Sequence, residues 1–506
     1  MSNSCSNDIQ INNFENGESV NQPILLVKGK VNKRCSSEVN ITLQVVEVID
    51  NNSRQQKQLQ ATQLGYNSEF KFLIDLRGLE HLDLELIFTY CNSQRHLKVE
   101  YAVSSNSYYR LQPLFIICPG EKGDELCTDE IVKTACQLID VNLLLVQCLY
   151  AEKLRENGFG RLSFKLNGNC QIFQSTLTCR EAWNSTEDEL WQTFGKEILN
   201  SRLGENSKLK FVAFIDCTRY DGAAVASQGD FSYANIRRNL RAHAALGGGG
   251  LALFGSGYFY AWPRTFSDII PCFLNEQKVD LAKLPDDSNY RRTYGGVYAT
   301  SLGAVCHELG HIFDLGHTAD GIMGSGFDYL NRVFTVNTLT ECLPKRQLQR
   351  GVLEASVLAT TRFPSFTKLR SQKGTFLEKY REQKCDDGCG FTRNCAVILA
   401  HHLWIREPHN GDILVDSDKQ ELEFDAGTKS VRCGKTDTLK LIELRCKTNS
   451  MVKLFYEFKK LQVEEPVSLF TLPKCARDLN STHYIFVITT SGCIKRFDFN
   501  VENEQQ

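Results

Sequence analysis

The sequence lacks an excess of charge of either sign. Its 58 lysine and arginine side chains are nearly balanced by 60 aspartates and glutamates, so the formal net charge is −2. Proteins that bind nucleic acids or acidic membrane surfaces carry a basic excess, which displaces counterions from the polyanion. We therefore expect no nucleic-acid partner.

Long apolar runs are also missing. The longest candidate, Val141–Ala151, is shorter than the roughly 18 residues that a membrane-spanning helix needs. The first twenty residues contain no basic segment followed by an apolar core, which a secretory signal peptide would show. We therefore expect a cytoplasmic protein without a membrane span.

Internal repeats and low-complexity blocks are absent, and the length of 506 residues suggests several domains. We predict an α+β multidomain fold with boundaries near residues 105 and 404. Residues 1–105 and 405–506 contain short apolar runs separated by polar breaks, which is typical of β-sandwiches. The predicted strands are Ile24–Val31, Val39–Ile49, Glu69–Leu76, Leu82–Tyr90, Leu97–Val103, Thr438–Cys446, Val452–Phe458, Ser468–Leu472 and Tyr484–Thr489, with an exposed loop at Asn51–Gln60.

The middle region, residues 106–404, mixes helical periodicity with strand-like runs. This alternation predicts an α/β core. The predicted helices are Thr128–Gly158, Trp183–Ile198, Asp230–Leu246, Gly351–Thr361 and Thr392–Trp404, and the predicted strands are Leu114–Cys118, Phe211–Asp216 and Gly250–Phe254.

Twenty cysteines are spread along the chain, and many lie inside or beside apolar runs. Cys118, Cys148, Cys217 and Cys306 are examples. Buried free thiols explain this distribution better than a disulfide framework does. Asp216, at the end of an apolar run, is interpreted as an ordinary strand-end charge rather than as part of a cleft.

The stretch SLGAVCHELGHIFDLGHTADGIMGSGFDY contains three regularly spaced histidines. His307 and His311 are four residues apart, so a helix places both on one face. His317 lies six residues further, beyond Gly316, where a helix can end and the chain can turn back. Three imidazoles around one Zn²⁺ leave a fourth position open, which distinguishes a catalytic zinc site from a structural one.

Glu308 follows the first histidine directly and can reach a water molecule at the metal without binding the metal itself. The arrangement predicts hydrolysis of peptide bonds, in which zinc activates the water and Glu308 acts as general base. A catalytically weak or inactive zinc-binding scaffold is the alternative, and hydrolysis of a non-peptide amide would use the same chemistry.

These residues resemble the extended metzincin motif, His-Glu-x-x-His-x-x-Gly-x-x-His followed by a Met-turn. The resemblance implies that His307, His311 and His317 bind zinc, that Glu308 is the base, and that Met323 is the Met-turn methionine. The sequence departs from the motif at Asp314, which replaces the usual glycine. Either Asp314 adopts a left-handed conformation, or the helix runs further and ends at Gly316.

A wider resemblance, carried by QCLYAEKLRENGFGRLSF at Gln147–Phe164 together with the histidine motif, is to a family of zinc metallopeptidases from fungi and invertebrates. It implies a peptide or protein substrate. In metzincins an antiparallel edge strand above the zinc binds extended substrate. The segment Leu251–Pro263 is the candidate for that strand, with Leu251, Leu253 and Gly255 as candidate substrate-binding residues; an aromatic core strand is the alternative.

Overall fold

A computed structural model describes most of the chain. It covers residues 8–35, 38–49, 54–65, 67–78, 81–102, 107–120, 129–288, 291–336, 388–407, 422–434, 437–458, 467–477 and 482–499. The predicted helix at Gly351–Thr361 lies outside the described residues, as do residues 51–53 of the predicted loop.

The N-terminal region consists of strands. They are β1 (Ile9–Ile11), β2 (Glu18–Val20), β3 (Ile24–Val31), β4 (Asn40–Val48), β5 (Arg54–Gln63), β6 (Glu69–Asp75), β7 (His81–Tyr90) and β8 (Ser93–Ala102). One sheet has the order β1-β3-β6 and the other β2-β8-β7-β4-β5. Val27, Phe72, Leu86 and Val99, from strands of both sheets, belong to one apolar cluster, which is the packing that the β-sandwich prediction requires. The boundary at residue 105 stays a prediction.

The predicted exposed loop at Asn51–Gln60 is wrong from Arg54 onwards. Residues Arg54–Gln63 form β5, which pairs antiparallel with β4 along its length. Because β5 is an edge strand, its backbone hydrogen bonds to β4 stabilise it although most of its side chains are polar. A strand of this kind has no apolar alternation for a sequence pattern to detect.

The middle region is built on a five-stranded sheet with the order β10-β9-β11-β15-β14. The strands β10, β9, β11 and β15 are parallel, whereas β14 is antiparallel and lies at the edge. The elements are β9 (Arg110–Ile117), α1 (Asp129–Glu156), β10 (Gln171–Gln174), α2 (Cys179–Asn184), α3 (Glu187–Leu199), β11 (Leu209–Ile215), β12 (Arg219–Tyr220), α4 (Gly222–Gln228), α5 (Tyr233–Arg238), β13 (Leu240–Arg241), β14 (Ala245–Gly248), β15 (Leu251–Gly255), α6 (Ile269–Phe273), α7 (Tyr294–Ile312), α8 (Asn331–Phe334) and α9 (Arg393–His401).

The helix predicted over Asp230–Leu246 is largely wrong. Only α5, Tyr233–Arg238, is helical, and Asn239 caps its C-terminus. The chain then pairs β13 with β12 and enters β14. Ala242 has a positive φ of 46°, which a right-handed helix cannot accommodate. Tertiary pairing with the sheet has overridden the helical periodicity of this segment.

Helix α1 runs beyond the apolar segment Val141–Ala151. By length and composition alone it could cross a membrane, but 61% of its most apolar stretch is buried inside the structure. Ile139 and Leu149 are fully buried, in the same apolar cluster as Leu309 of α7. Core helices of globular proteins pass the same length test. The expectation of no membrane span therefore stays a prediction.

The C-terminal region returns to strands, as predicted. It contains β16 (Leu422–Asp425), β17 (Ser430–Cys433), β18 (Leu439–Cys446), β19 (Val452–Glu457), β20 (Leu469–Thr471), α10 (Lys474–Arg477), β21 (His483–Thr489) and β22 (Ile494–Asp498). The sheets have the orders β16-β17-β20 and β19-β18-β21-β22. Leu422, Val431, Leu444 and Val487, from strands of both sheets, belong to one apolar cluster.

Candidate metal centre

Helix α7 carries the first two histidines of the motif. It begins after Thr293, whose side chain accepts a hydrogen bond from the amide of Gly296 and so satisfies one amide of the first turn. Almost every residue of α7 is buried, which is typical of a helix that neighbouring elements surround. The packing fixes the rotation of the helix, and with it the direction in which His307 and His311 point.

The three histidines converge on one point. The Nε2 atom of His311 lies 3.1 Å from the Nε2 atoms of both His307 and His317. On the other side of each ring, Nδ1 lies within hydrogen-bonding distance of a backbone carbonyl. His307 is 2.7 Å from the oxygen of Ile322, His311 is 3.0 Å from that of Leu315, and His317 is 2.6 Å from that of Asn449. Since a carbonyl can only accept a hydrogen bond, each Nδ1 carries the proton, and each Nε2 directs its lone pair to the point between the three rings.

This donor set fits a zinc ion. Three imidazole nitrogens bound to tetrahedral zinc at about 2.0–2.1 Å are separated by about 3.3 Å, close to the separations observed. Burial and, to a smaller extent, the neighbouring His317 lower the pKa of His311 to about 3. Burial also lowers the pKa of His317. Both rings are therefore neutral at pH 7, which is the form that binds a metal.

Glu308 points toward the edge of the five-stranded sheet. Its Oε2 atom accepts a hydrogen bond of 2.7 Å from the amide of Gly247, in β14. The two segments are in close contact, because a Cβ atom on Gly247 would lie 2.1 Å from the backbone oxygen of Glu308. A glycine at this position therefore allows the edge strand to approach the helix and to hold the carboxylate.

Met323 packs against helix α7 at Gly310. A Cβ atom on Gly310, which lies between His307 and His311 on α7, would be 2.3 Å from the Met323 sulfur. The preceding residue, Ile322, supplies the carbonyl that binds His307. This position agrees with that expected for a Met-turn methionine, although the role itself stays a prediction.

The conformation of Asp314 decides between the two helix ends that the sequence allowed. Helix α7 ends at Ile312, and Asp314 has a left-handed φ of 62°. The amides of Asp314 and Leu315 donate to the carbonyls of His311 and Gly310, which is the Schellman pattern of helix termination. The turn brings the carbonyl of Leu315 to His311. Asp314 thus adopts the conformation for which the motif normally uses glycine.

The carboxylate of Asp314 also binds the C-terminal part of the protein. Its oxygens lie 2.9 Å from Arg496 of β22 and 3.4 Å from His402. Burial alone would raise the pKa of Asp314, but the hydrogen bond with His402 and the charges of Lys210 and Arg496 hold it well below its usual value. A glycine could not make these contacts, which gives a physical reason for the departure from the motif.

We expect Asp314→Asn to lower the free energy of unfolding by about 1 kcal/mol at pH 7, since asparagine keeps the left-handed turn but removes the charge. A carboxyl group with a lowered pKa stabilises the folded protein above its ordinary pKa of about 4, and this stabilisation is lost as the pH falls further. Urea unfolding of both proteins should therefore show a constant difference from pH 7 to pH 5 that shrinks below pH 4. A difference that does not change with pH would contradict this account.

A turn of the C-terminal region completes the environment of His317. Besides the bond from its ring to Asn449, the amide of His317 donates to the carbonyl of Ser450, and its carbonyl accepts from the amide of Val452. The sequence analysis missed this turn between β18 and β19. Its contacts with His317 use main-chain atoms, which leave no signature in the side-chain pattern.

The segment that was predicted to form the substrate-binding edge strand lies in the interior of the sheet. Leu251, Leu253 and Gly255 belong to β15, which lies between β11 and β14 in the interior of the sheet. All three are buried. The prediction that this segment forms the edge strand is therefore wrong, and the antiparallel edge strand is β14, Ala245–Gly248. The most apolar segment is the interior strand because it is covered on both faces.

Comparisons with known proteins identify a peptidase family and two fungal relatives. A family model described as "Putative peptidase family" matches residues 8–384. Two fungal relatives are each described as a putative zinc metalloproteinase. The one from Saccharomyces cerevisiae is 27% identical over 65% of this chain and 49% of its own length. The one from Schizosaccharomyces pombe is 28% identical over 39% of this chain and 34% of its own length.

The chain thus spans half or less of the length of these two relatives. A solved structure of a Paenibacillus sp. cycloisomaltooligosaccharide glucanotransferase covers 41% of this chain and 27% of its own at 11% identity, but the TM-score of 0.15 supports no fold argument. The family match covers well over half of the sequence and includes all three histidines and Glu308. The chain belongs to this putative peptidase family.

Proposed function

We propose that this protein is a zinc-dependent metallopeptidase that hydrolyses peptide bonds with Glu308 as general base. One observation carries the proposal. Three imidazoles present their Nε2 atoms to one point, while Glu308, adjacent to the first of them on α7, is hydrogen-bonded to the edge strand of the sheet.

His307, His311 and His317 would hold the zinc ion. When bound there, zinc supplies a Lewis acid that polarises a carbonyl group and lowers the pKa of water. The three backbone carbonyls at Ile322, Leu315 and Asn449 fix the tautomer and the orientation of each ring. Such outer partners of metal-binding histidines contribute roughly 10–100-fold in metal affinity or activity.

Glu308 moves the proton. Its carboxylate takes a proton from the attacking water and later delivers it to the nitrogen of the leaving amine, so that it ends the cycle in its original state. The hydrogen bond from the amide of Gly247 holds Oε2 and thereby sets the orientation of the carboxylate before substrate binds. A structural metal site would have no use for a buried carboxylate in this position.

The edge strand gives the substrate a place to bind. Strand β14 is antiparallel to the rest of the sheet and contacts Glu308 through Gly247. An extended peptide that lies along this edge would pass beside the base and the histidines, with main-chain pairing as the source of affinity. This geometry supports a metzincin-type arrangement, with β14 rather than β15 as the proposed substrate-binding strand.

The alternative is a zinc-binding scaffold with little or no activity. The contacts between the C-terminal turn and His317 would serve such a scaffold as well as an enzyme. The two functions differ in their use of Glu308, because a scaffold would not need a general base.

Cleavage of an unfolded peptide library tests the proposal. We expect the full-length, zinc-loaded protein to cleave peptides, with the products identified by mass spectrometry. Removal of zinc with a chelator should abolish cleavage, and stoichiometric zinc should restore it. His311→Ala is the matched control, since it should neither retain zinc at this centre nor recover activity. A protein that holds zinc at the histidines but cleaves nothing would favour the scaffold.

A further inference from the structure

A second group of metal-binding side chains lies at the far end of the five-stranded sheet. Cys118 follows the last residue of β9 directly, and Asp216 and Cys217 follow β11. Cys179 begins α2, shortly after β10 ends. The four residues therefore come from the carboxyl ends of three neighbouring parallel strands. The histidine centre, by contrast, is built on α7, next to the opposite edge strand β14.

This position is where parallel sheets bind ligands. The chain leaves β9 toward β10 on one side and leaves β11 toward β15 on the other. Connections that diverge in this way open a crevice at the carboxyl ends of the two central strands. Cys118 and Cys217 follow these two strands, so the fold itself brings the two thiols together.

The side chains are close to one another, and the cysteines are buried. The Cys118 and Cys217 sulfurs and a carboxylate oxygen of Asp216 all lie within 4.8 Å of one another. The carboxylate is oriented by the Cys118 amide, which donates to Oδ1 at 3.2 Å. The Cys179 thiol lies 3.3 Å from the carbonyl of Cys118 and within hydrogen-bonding reach of the Cys217 thiol. Cys118, Cys217 and Asp216 thus offer two sulfurs and one carboxylate to a single small volume, with the Cys179 thiol beside Cys217.

We propose that Cys118, Cys217 and Asp216 form a second metal site that binds zinc, and that Cys179 supplies its fourth ligand. Thiolates are the ligands that select zinc among the common divalent cations, and four protein ligands close a tetrahedral site. Sulfurs bound to one zinc at about 2.3 Å are about 3.8 Å apart, so a contraction of at most roughly 1 Å would bring the Cys118 and Cys217 sulfurs to that separation, and the Cys179 thiol would turn from the Cys118 carbonyl toward the metal. A closed site of this kind is structural, and it would join three strand ends to one another.

Zinc binding at this site needs no reactant besides the metal ion. Zinc binding would form three zinc–sulfur bonds, and the three thiol protons would pass to solvent. No oxidant is needed, in contrast to a disulfide between Cys118 and Cys217.

Metal counting tests the site independently of peptidase activity. We expect the full-length protein to hold about two zinc ions per chain after dialysis against zinc-buffered solution, because the two centres use separate ligands. Both Cys217→Ser and His311→Ala should each hold one. Cys148→Ser is the matched control, since Cys148 is also buried but lies in α1 outside the cluster, and it should keep both ions.

The inference fails if Cys217→Ser retains both ions, or if the wild-type protein holds a single ion that His311→Ala loses. A disulfide between Cys118 and Cys217 would also overturn it, and thiol titration of the unfolded, unreduced protein would reveal that bond as two missing thiols. Retention of both ions by His311→Ala would instead count against the zinc ligands of the proposed function, so the two failures are distinguishable.

Cobalt substitution covers the case in which the serine variant does not fold. Wild-type protein loaded with Co²⁺ should show a near-ultraviolet thiolate-to-cobalt charge-transfer band, and His311→Ala should keep it. The histidine centre contains no sulfur ligand and cannot produce this band. Its absence from the folded wild-type protein would overturn the proposal.

Discussion

Replacing Glu308 with glutamine is expected to lower the rate of peptide cleavage by about 10²–10⁴-fold, the usual contribution of a general base. Glutamine has nearly the same volume and can still accept the hydrogen bond from Gly247, but it cannot take a proton from water. Zinc at the three histidines should be retained, because Glu308 is not one of the metal-binding residues proposed here. The measurement is kcat on a peptide identified from the library, with zinc content determined on the same sample.

Glu423→Gln provides the matched control. Glu423 is exposed on β16, so the same chemical change there should leave kcat at the wild-type value. Undiminished cleavage by Glu308→Gln would show that another group moves the proton. Loss of zinc from this variant would show instead that the carboxylate supports the metal directly, and the assignment of its role would have to change.

Replacing Gly247 of β14 with alanine is expected to displace Glu308 and so to lower the rate of peptide cleavage. The added Cβ atom would lie 2.1 Å from the backbone oxygen of Glu308 and 2.8 Å from its carbonyl carbon. Neither backbone atom can move without shifting α7 or β14. Such overpacking costs about 1–3 kcal/mol of stability. A displacement of about 1 Å at a catalytic group lowers the rate by roughly 10²-fold, so activity should fall in a protein that is still folded.

Gly250→Ala tests whether the contact, rather than the loss of a glycine, is responsible. Gly250 lies in the turn between β14 and β15, and a Cβ atom there would meet nothing within 4 Å. The control should match the wild-type protein in thermal stability and in kcat. Equal effects of the two alanines would refute the close contact between β14 and Glu308.

The histidine motif could be found from the sequence because its chemistry is local. The four-residue spacing of His307 and His311 fixes their common helix face, and a turn at Asp314 suffices to bring back His317. The hydrogen bonds that orient the rings could not be predicted in this way. They come from carbonyls at Ile322, Leu315 and Asn449, and every residue type offers a carbonyl, so no pattern of side chains could have revealed them.

Strand prediction succeeded for an apolar strand and failed for edge strands that lack an apolar pattern. The apolar run Ile24–Val31 is β3 with the predicted ends, because its side chains fill the cores on both faces of the sheet. Strand β5 is polar because it lies at an edge, and β14 consists of an alanine, a leucine and two glycines. The two strands are defined by main-chain pairing with the adjacent strands β4 and β15, which leaves no pattern of side chains.

The same limit applies to Cys118, Asp216 and Cys217. Their burial could be expected from the apolar runs around them, and the structure confirms it for the two cysteines. Their proximity could not, because about a hundred residues separate the two strand ends. It follows from the order of strands in the sheet, which the sequence pattern did not supply.

The turn that binds His317 has a consequence for how the protein is made. Ribosomes synthesise a chain from its N-terminus, and folding can begin while synthesis continues. The carbonyls of Asn449 and Ser450, which hold the ring and the backbone of His317, leave the ribosome long after the other parts of the centre. A nascent chain would therefore carry an incomplete third ligand until the C-terminal sheet folds onto it.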